Sequence, residues 1–215
     1  MKIKWLGHSC FLLNAASGLK IITDPYTTTN GVNYSPIKET ADIVTVSHDH
    51  FDHNGVSEVS GNPEVVTGDN PGIYKGIQFK CVNTYHDEKE GSQRGTNAIF
   101  CFELDDIKIC HLGDLGHRLD KKQIEEIGEV DLLLVPVGGY FTIDAKTASD
   151  VCTDLEPSIV IPMHYKTPKL DFPITGVEDF LKTKKDVKRL DSSEIELSRG
   201  EMPGTMEILV LKPAL

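Results

Sequence analysis

Apolar residues recur along the chain in short runs separated by polar or glycine-containing turns, which predicts many strands and few helices. Strand patterns cover residues 2–6, 10–14, 19–23, 41–47, 77–84, 97–104, 107–111, 158–163 and 206–212. Helices are expected at 55–60, 120–127, 144–154 and 175–185. Asp120 is the expected N-cap of the second helix, and Gly128 its stop. No linker, repeat or low-complexity segment interrupts this pattern, so we expect one domain over residues 1–215.

Metal-binding side chains follow four of the predicted strands. Residues 41–47 have the composition of a strand buried on both faces, and a dense polar string follows them. His86, Asp114 and His164 each come shortly after the end of another predicted strand. Because loops at one edge of a rigid sheet commonly carry the chemistry of a protein, we expect these side chains to lie close together.

The polar string is His48-Asp49-His50-Phe51-Asp52-His53, an H-x-H-x-D-H pattern. Nitrogen and oxygen donors at this density suit one or two divalent ions such as zinc, manganese or iron. In an extended backbone His48 and His50 point to the same side, because side chains alternate with a period of two. A turn at Phe51-Asp52 then directs Asp52 and His53 towards a second ion. A merely solvated polar loop is the alternative, but it does not explain the other candidate ligands.

In their order along the chain, these residues resemble the signatures of the metallo-β-lactamase superfamily. The matching positions are Asp24, the H-x-H-x-D-H string, His86, Asp114 and His164. The segments LGHS (6–9), PVGGYFT (136–142) and IPMHY (161–165) look like the branch that contains ascorbate-6-phosphate lactonase and many uncharacterised metal-dependent hydrolases. The resemblance covers nearly the whole chain and implies a four-layer αββα sandwich, with the metal site at one edge.

Ligand chemistry and the resemblance together imply a dinuclear site. The implied ligands are His48, His50 and His86 for one ion, and Asp52, His53 and His164 for the other. Asp114 is expected to bridge the ions, because a carboxylate has two oxygens. A bridging hydroxide then attacks a carbonyl or phosphoryl centre at neutral pH. Asp24 is expected to orient a histidine ligand, with a simple Asp-Pro turn as the alternative.

Several other residues are candidates for the reaction or for substrate contact. Asp52, Asp114 and His8 are the predicted catalytic residues. The branch resemblance puts His8 near the pocket mouth, although a lone histidine is more often structural. His117 is either a substrate contact or a surface residue, at a position where many relatives carry an apolar pair. The remaining candidates are hydroxyl-bearing pocket walls and one arginine that would bind an anion, namely Tyr140, Thr142, Tyr165 and Arg94.

The charge balance favours a small-molecule substrate. The chain has 33 acidic and 22 basic residues and a net charge of −11, whereas nucleic-acid enzymes gain affinity from lysine and arginine. The basic run at 182–189 is expected to be the solvated face of a late helix. No apolar run reaches the roughly 18 residues of a membrane span. We therefore expect neither nucleic acid nor membrane as a partner, and the pattern carries no signal for an oligomeric state.

The cysteines indicate a reducing compartment. Five are present, an odd number with no C-x-x-C pair, and this fits free thiols better than a disulfide framework. The first residues have a strand pattern and lack the features of a secretion signal, so a cytoplasmic location is expected. Cys110 lies close to Asp114, but it is expected to fill the core rather than to bind metal.

Three classes of function are compatible with such a site. The leading hypothesis is a metallohydrolase with two divalent ions, most simply zinc, that acts on a small ester or lactone, with phosphodiester cleavage as an alternative. An iron redox protein is a second hypothesis, but redox relatives place a glutamate where this chain has His50 and usually carry a flavin domain. A non-catalytic binding module is the third, but it should lack one or more ligands, and all seven are present.

Overall fold

Fourteen strands and three α-helices make up the computed structural model, which describes residues 1–215. The strands are β1 (Lys2–Gly7), β2 (Cys10–Asn14), β3 (Lys20–Thr23), β4 (Ile43–Val46), β5 (Glu64–Thr67), β6 (Gly72–Tyr74), β7 (Ile77–Tyr85), β8 (Thr96–Leu104), β9 (Ile107–His111), β10 (Leu132–Pro136), β11 (Ile159–Met163), β12 (Val187–Arg189), β13 (Glu194–Glu196) and β14 (Glu207–Val210). The helices are α1 (Lys121–Ile127), α2 (Ala145–Leu155) and α3 (Glu178–Leu181).

The strands form two sheets. The first has the order β13-β1-β2-β3-β4-β5, and the second has the order β12-β14-β11-β10-β9-β8-β7-β6. Trp5 of β1 packs into the principal core with residues of the second sheet, whereas its neighbour Leu6 packs into a smaller core. Ile43 and Val44 of β4 are divided in the same way, because successive side chains of a strand point to opposite faces. Burial of this strand on both faces, predicted for residues 41–47, is therefore confirmed.

Helix α2 covers part of the second sheet. Its buried residues belong to the principal core, and the helix contacts β10, which is buried along its whole length. Helix α3 contacts α2. Helices α2 and α3 thus lie outside the paired sheets on the side of the second sheet, and the sandwich architecture expected from the sequence is confirmed. No helix has both the length and the apolar character that crossing a bilayer requires.

Several elements differ from the prediction. The helix expected at 55–60 is a 3-10 turn, Val56–Glu58, and the one expected at 175–185 contains only the four residues of α3. The basic run at 182–189 lies outside α3 and not on a helix. Its last three residues form β12, which pairs in parallel with β14. No side chain caps the N-terminus of helix α3, so the helix lacks a local hydrogen bond that would stabilise a longer helix. Strands β5, β6, β10 and β13 were not predicted, since short apolar or polar runs do not distinguish strands from other structure.

Helix α1 agrees closely with its prediction. The Asp120 carboxylate accepts a hydrogen bond from the Gln123 backbone N–H over 2.8 Å, and the Gln123 side chain accepts one from the Asp120 N–H over 3.0 Å. This reciprocal pair satisfies two N–H groups that have no partner within the helix. Gly128 follows the last turn with a φ of 75°, a conformation that glycine adopts without strain.

The strands that carry candidate ligands end at matching edges of the two sheets. β3 and β4 are parallel, as are β9, β10 and β11. β7 runs in the same direction as β9, because both are antiparallel to β8 between them. Backbone hydrogen bonds from Ala98 N to Ser47 O (2.9 Å) and from His164 N to His8 O (3.2 Å) join the two edges. The fold thereby brings loops from both sheets to one place.

Candidate metal centre

The candidate ligands lie in loops at this joined edge. Four of them occupy the loop after β4, where the N–H groups of His53 and Asn54 both donate to His50 O, over 2.9 and 2.8 Å. This turn confirms the chain reversal predicted at Phe51-Asp52. The other three candidates are His86 after β7, Asp114 after β9 and His164 after β11.

Asp114 Oδ2 lies at the centre of a histidine cluster. Its distances to the Nε2 atoms are 3.2 Å for His53, 3.2 Å for His164, 3.3 Å for His86 and 4.0 Å for His48. Donor atoms within 4.8 Å of one another form three overlapping groups. The groups are His48, His50 and His86; His48, His53 and Asp114; and His8, Asp52, His53 and His164. All seven candidate ligands predicted from the sequence are thus brought together, with His8 beside them.

Asp24 holds two histidines of the cluster in place. His53 Nδ1 lies 2.8 Å from Asp24 Oδ2, and because a carboxylate only accepts, the ring donates through Nδ1. Ser47 donates to the same carboxylate through its backbone N–H (2.8 Å) and its hydroxyl (2.6 Å). Since the hydroxyl proton goes to Asp24, the Ser47 oxygen accepts from His48 Nδ1 over 2.9 Å. Both rings are therefore fixed with Nδ1 as the donor and Nε2 directed at Asp114.

A second network holds Asp114. Its backbone N–H donates to Asn97 Oδ1 over 2.8 Å, while Asn97 Nδ2 donates to Thr84 Oγ1 and Leu112 O. The preceding turn is fixed by His111, whose Nδ1 accepts from the Gly113 N–H over 3.1 Å. His111 Nε2 lies 2.9 Å from the carbonyl of Ser9, in the turn between β1 and β2. Asp114 is thus positioned from three strands rather than by its own loop alone.

His8 does not lie at the mouth of a pocket, as the branch resemblance implied. It is fully buried, and its Nε2 lies 3.1 Å from Asp52 Oδ2. Its ring packs 4.2 Å from that of His164, measured between centroids. Burial, together with His164, lowers the pKa of His8 to about 4. His8 has a φ of 54°, a left-handed backbone conformation that is uncommon for residues other than glycine. In this turn after β1, the ring points into the interior next to Asp52.

Electrostatics keep the carboxylates of the cluster ionised and give its histidines different pKa values. Burial, with the neighbouring His53, lowers the pKa of His48 to about 3. Burial alone would raise the pKa of Asp114, but His164 and His53 hold it well below its ordinary value. Burial also opposes a charge on His53, yet Asp114 and Asp52 raise the pKa of this histidine well above its ordinary value.

These donors fit metal ions. His48 Nε2, His53 Nε2 and Asp114 Oδ1 are buried without hydrogen-bond partners, a costly state that coordination would relieve. Three carboxylates with lowered pKa values, Asp24, Asp52 and Asp114, face the single histidine whose pKa is raised. Excess negative charge in a buried site is stabilised by cations. The cluster of histidine and aspartate donors is therefore a metal-binding cluster.

Comparison with known proteins agrees with this geometry. The family model of the Beta-lactamase superfamily domain matches residues 2–164. A UPF0173 metal-dependent hydrolase of Archaeoglobus fulgidus is 31% identical over 94% of this chain and 97% of its own length. A crystal structure from Thermotoga maritima has 42% sequence identity and a TM-score of 0.79, and the match covers 98% of this chain and 97% of that one. That protein is provisionally described as a Zn-dependent hydrolase of the metallo-beta-lactamase superfamily.

The chain belongs to the metallo-β-lactamase superfamily. A second UPF0173 metal-dependent hydrolase, from Carboxydothermus hydrogenoformans, is 34% identical over 78% of the chain and 85% of its own length. With these relatives and its histidine and aspartate cluster, this superfamily member is a metal-dependent hydrolase.

A cavity of about 340 Å³ opens onto the cluster of this metallo-β-lactamase superfamily protein. The candidate ligands in its wall are His50, Asp52, His86, Asp114 and His164. The rest of the wall consists of Asn30, Phe51, Gln93, Arg94, Phe141 and Phe172. A larger groove of about 630 Å³ contains none of the candidate ligands, so volume alone does not identify the site.

Arg94 is the one predicted substrate contact that lines this cavity. Tyr140 and Thr142 line an adjacent cavity of about 270 Å³, which shares Arg94 with the first. Tyr165 lies elsewhere, since it is buried in the principal core with its ring 5.2 Å from that of Trp5.

His117 is held by the backbone and does not line the cavity at the metal cluster. Its Nδ1 lies 2.8 Å from the carbonyl of Arg118, and its Nε2 accepts a hydrogen bond from the Tyr85 N–H over 3.2 Å. Both ring nitrogens are therefore engaged next to the strand end that leads to His86. The contact supports the local loop structure.

Some residues that shape the site were not found from the sequence. Ser47 directly precedes the candidate ligand His48, and this position in the sequence was a signal that it contacts the site. Asp87 directly follows His86, and its carboxylate accepts four backbone N–H groups of the loop after it. Asn97 and Phe141 had no comparable signal, because their contacts with the site depend on tertiary structure.

Proposed function

We propose that this protein is a dinuclear metal-dependent hydrolase that acts on a small ester or lactone, including phosphorylated ones. The observation that carries the proposal is the position of Asp114 Oδ2, 3.2–4.0 Å from the Nε2 atoms of four histidines. An oxygen surrounded by histidines from several loops has the environment of a ligand shared by two ions. A single tetrahedral ion would need only three or four of these donors.

The donors divide between two ions by proximity. His48, His50 and His86 would hold one ion, and Asp52, His53 and His164, which group with His8, would hold the other, with Asp114 shared between them. Asp24 and Ser47 keep His53 and His48 in the tautomer that leaves Nε2 free to coordinate.

When bound, two divalent ions lower the pKa of a water molecule and polarise the scissile carbonyl. The protein supplies orientation and a shaped cavity. His8 contributes by holding Asp52, because the ring is buried and lies 3.1 Å from that carboxylate rather than in the cavity wall. In the overall reaction water adds to the acyl carbon, the bond from that carbon to the leaving oxygen breaks, and the alcohol departs with a proton.

Zinc is the proposed metal, with manganese or iron as alternatives. Mixed histidine and aspartate donors suit all three ions, and zinc binds more tightly than manganese or iron(II) at most such sites. The description of the Thermotoga maritima relative as a Zn-dependent hydrolase supports the same choice.

A small molecule is the proposed partner, and the cytoplasm is the proposed location. A cavity of about 340 Å³ lies at the small end of ligand pockets, which start near 300 Å³. The net charge of −11 disfavours nucleic acid. The five cysteines are free, and three of them are buried, which suits a reducing compartment.

A side-by-side assay tests the proposed function. Metal-reconstituted protein is compared on a panel of simple lactones and aryl esters and on bis-p-nitrophenyl phosphate, with His50→Ala as the control for metal dependence. His50 is exposed, so this variant removes a ligand without opening the core. Opening of lactones or esters that is lost in His50→Ala supports the proposal. Metal-dependent cleavage of the phosphodiester alone would replace it with the phosphodiesterase alternative. No turnover of any substrate would contradict hydrolysis of these bonds.

A further inference from the structure

We propose that Arg94 forms a subsite for an anionic group of the substrate, so that the preferred ester or lactone carries a carboxylate or phosphate on an apolar body. The proposal rests on the proposed function, because it names the substrate class of the same site. It begins from the position of Arg94, which shares the cavity wall with His50, Asp52, His86, Asp114 and His164.

The Arg94 guanidinium has no polar partner within the protein. It makes no ion pair within 4.0 Å and donates no side-chain hydrogen bond, whereas Arg118, Arg189 and Arg199 are each paired with a carboxylate. Its one specific contact is with Phe141, whose ring centroid lies 5.6 Å away. A cation–π contact of this kind holds the guanidinium beside the ring and leaves its five N–H groups free for a planar anion.

The loop that carries Arg94 is built to hold it at the cavity. The Asp87 carboxylate accepts backbone N–H groups of Lys89, Gly91, Gln93 and Arg94 over 2.7–3.0 Å. These four hydrogen bonds close the loop directly after His86. The backbone of Arg94 is therefore joined to the candidate ligand His86 through one short, hydrogen-bonded segment, which keeps the arginine close to the metal cluster.

Charge makes this arginine conspicuous. Although the chain has a net charge of −11, this cavity wall includes the cationic side chain of Arg94. The wall contains no other lysine or arginine. The amide side chains of Asn30 and Gln93 line the same wall and offer further donors. A cation with free donors attracts an anionic group, and charge-assisted hydrogen bonds from arginine are strong and suited to carboxylate and phosphate.

The remaining walls determine the body of the substrate. Phe51, Phe141 and Phe172 supply three aromatic faces to a cavity of about 340 Å³. Phe141 and Phe172 contact each other nearly edge to face, with centroids 5.7 Å apart. These surfaces favour an aromatic or aliphatic body between the reacting bond and the anion.

Two matched esters test the proposal, 4-acetoxybenzoate and its methyl ester, methyl 4-acetoxybenzoate. They differ in one negative charge and release comparable phenols. We expect the metal-loaded protein to prefer 4-acetoxybenzoate in kcat/KM. Arg94→Gln should lower kcat/KM for this ester by about 10- to 100-fold, mainly through KM, and lower kcat/KM for the methyl ester far less. Arg94→Lys should retain part of the preference, and Arg118→Gln, which removes an exposed arginine that does not line the cavity, should retain all of it. An equal loss on both esters, or no loss on either, would overturn the subsite.

A binding experiment separates this proposal from the proposed function. Calorimetric titration of 4-hydroxybenzoate into metal-loaded wild type and Arg94→Gln does not require turnover. Binding at least about tenfold weaker in Arg94→Gln supports the subsite even if neither ester is hydrolysed, in which case ester hydrolysis alone is contradicted. Equal binding by both proteins, or binding by neither, overturns the anionic subsite whether or not the protein hydrolyses esters.

Discussion

His53 donates a hydrogen bond from Nδ1 to Asp24 Oδ2 over 2.8 Å, and both side chains are fully buried. Asp24 follows β3, and His53 lies in the loop after the neighbouring parallel strand β4. The bond therefore connects two adjacent strand ends within the first sheet. It also fixes which nitrogen of His53 faces the metal cluster, so a residue outside the coordinating groups governs one of the ligands.

Asp24→Asn should weaken metal binding without abolishing the fold. The carboxylate accepts from His53 Nδ1, Ser47 Oγ and Ser47 N, and an amide would direct its own NH₂ group at one of these donors. Loss of such a support typically costs about 10- to 100-fold in metal affinity. Competition for zinc with a chromogenic chelator measures this loss.

Asp49→Asn is the matched control for this change. Asp49 lies within the H-x-H-x-D-H string but is exposed, and its contact is with Asn54 rather than with a histidine. An asparagine there still accepts that hydrogen bond. Affinity equal to wild type in Asp49→Asn, with a loss in Asp24→Asn, is the expected pair of results. Equal affinity in all three proteins would show that the Asp24 contact does not govern the ligand.

Asp114→Ala should abolish turnover and lower the metal content. Oδ2 of this residue is within 3.3 Å of three Nε2 atoms, so its removal takes away the proposed shared ligand of both ions. Elemental analysis of the dialysed protein and an ester assay measure the two effects. The thermal midpoint of the metal-free variant serves as the check on folding. Full activity in a folded Asp114→Ala protein would contradict the bridging assignment.

The cluster of candidate ligands could be predicted from sequence because each of its residues lies a few positions beyond a strand. Local apolar patterning identifies such strands as β4 and β11, and residue type then identifies His48 or His164 as a donor. Parallel neighbours bring these ends together without further information. The αββα architecture was predictable for a different reason, since it came from the resemblance to a known superfamily.

Residues whose role depends on contacts between distant segments could not be predicted. His8 follows a strand like the ligands do, but only the positive φ and the packing against His164 explain why it is buried beneath Asp52. Asn97 supports Asp114 from β8, 17 positions away in the chain. Strand β12 forms by pairing with β14, which local propensity does not report.

Gly116→Ala should displace His86 and weaken metal binding. A Cβ atom at Gly116 would overlap the backbone of His86 and Asp87, and these atoms cannot move aside as a flexible side chain would. Overpacking of this kind costs about 1–3 kcal/mol and would shift the strand end that carries the ligand. We expect a lower thermal midpoint and a lower affinity for zinc.

Gly176→Ala provides the control, because a Cβ atom there meets nothing within 4 Å and no left-handed φ is required. Replacing such a glycine restricts the unfolded chain and is neutral or slightly stabilising. Both alanine variants add the same methyl group, so only the contact with His86 and Asp87 distinguishes them. Wild-type stability and zinc affinity in Gly116→Ala would argue against a close backbone approach at this position.

Asp144 should make the stability of helix α2 depend on pH. Its carboxylate accepts from the Thr147 N–H over 2.7 Å, and this hydrogen bond lowers the pKa of Asp144. Because this pKa is lower in the folded protein than in the unfolded chain, the stabilisation is fully present at pH values above the unfolded pKa. It is lost as the pH falls through the folded pKa. Asp144→Ala should therefore cost about 1 kcal/mol of unfolding free energy at neutral pH and progressively less below about pH 4.

Asp144→Asn, which keeps a capping oxygen without a titrating charge, should lie close to wild type at neutral pH. Urea denaturation of the metal-free proteins across this range measures the difference, and a constant gap between wild type and Asp144→Ala down to the lowest pH would rule out the ionised cap.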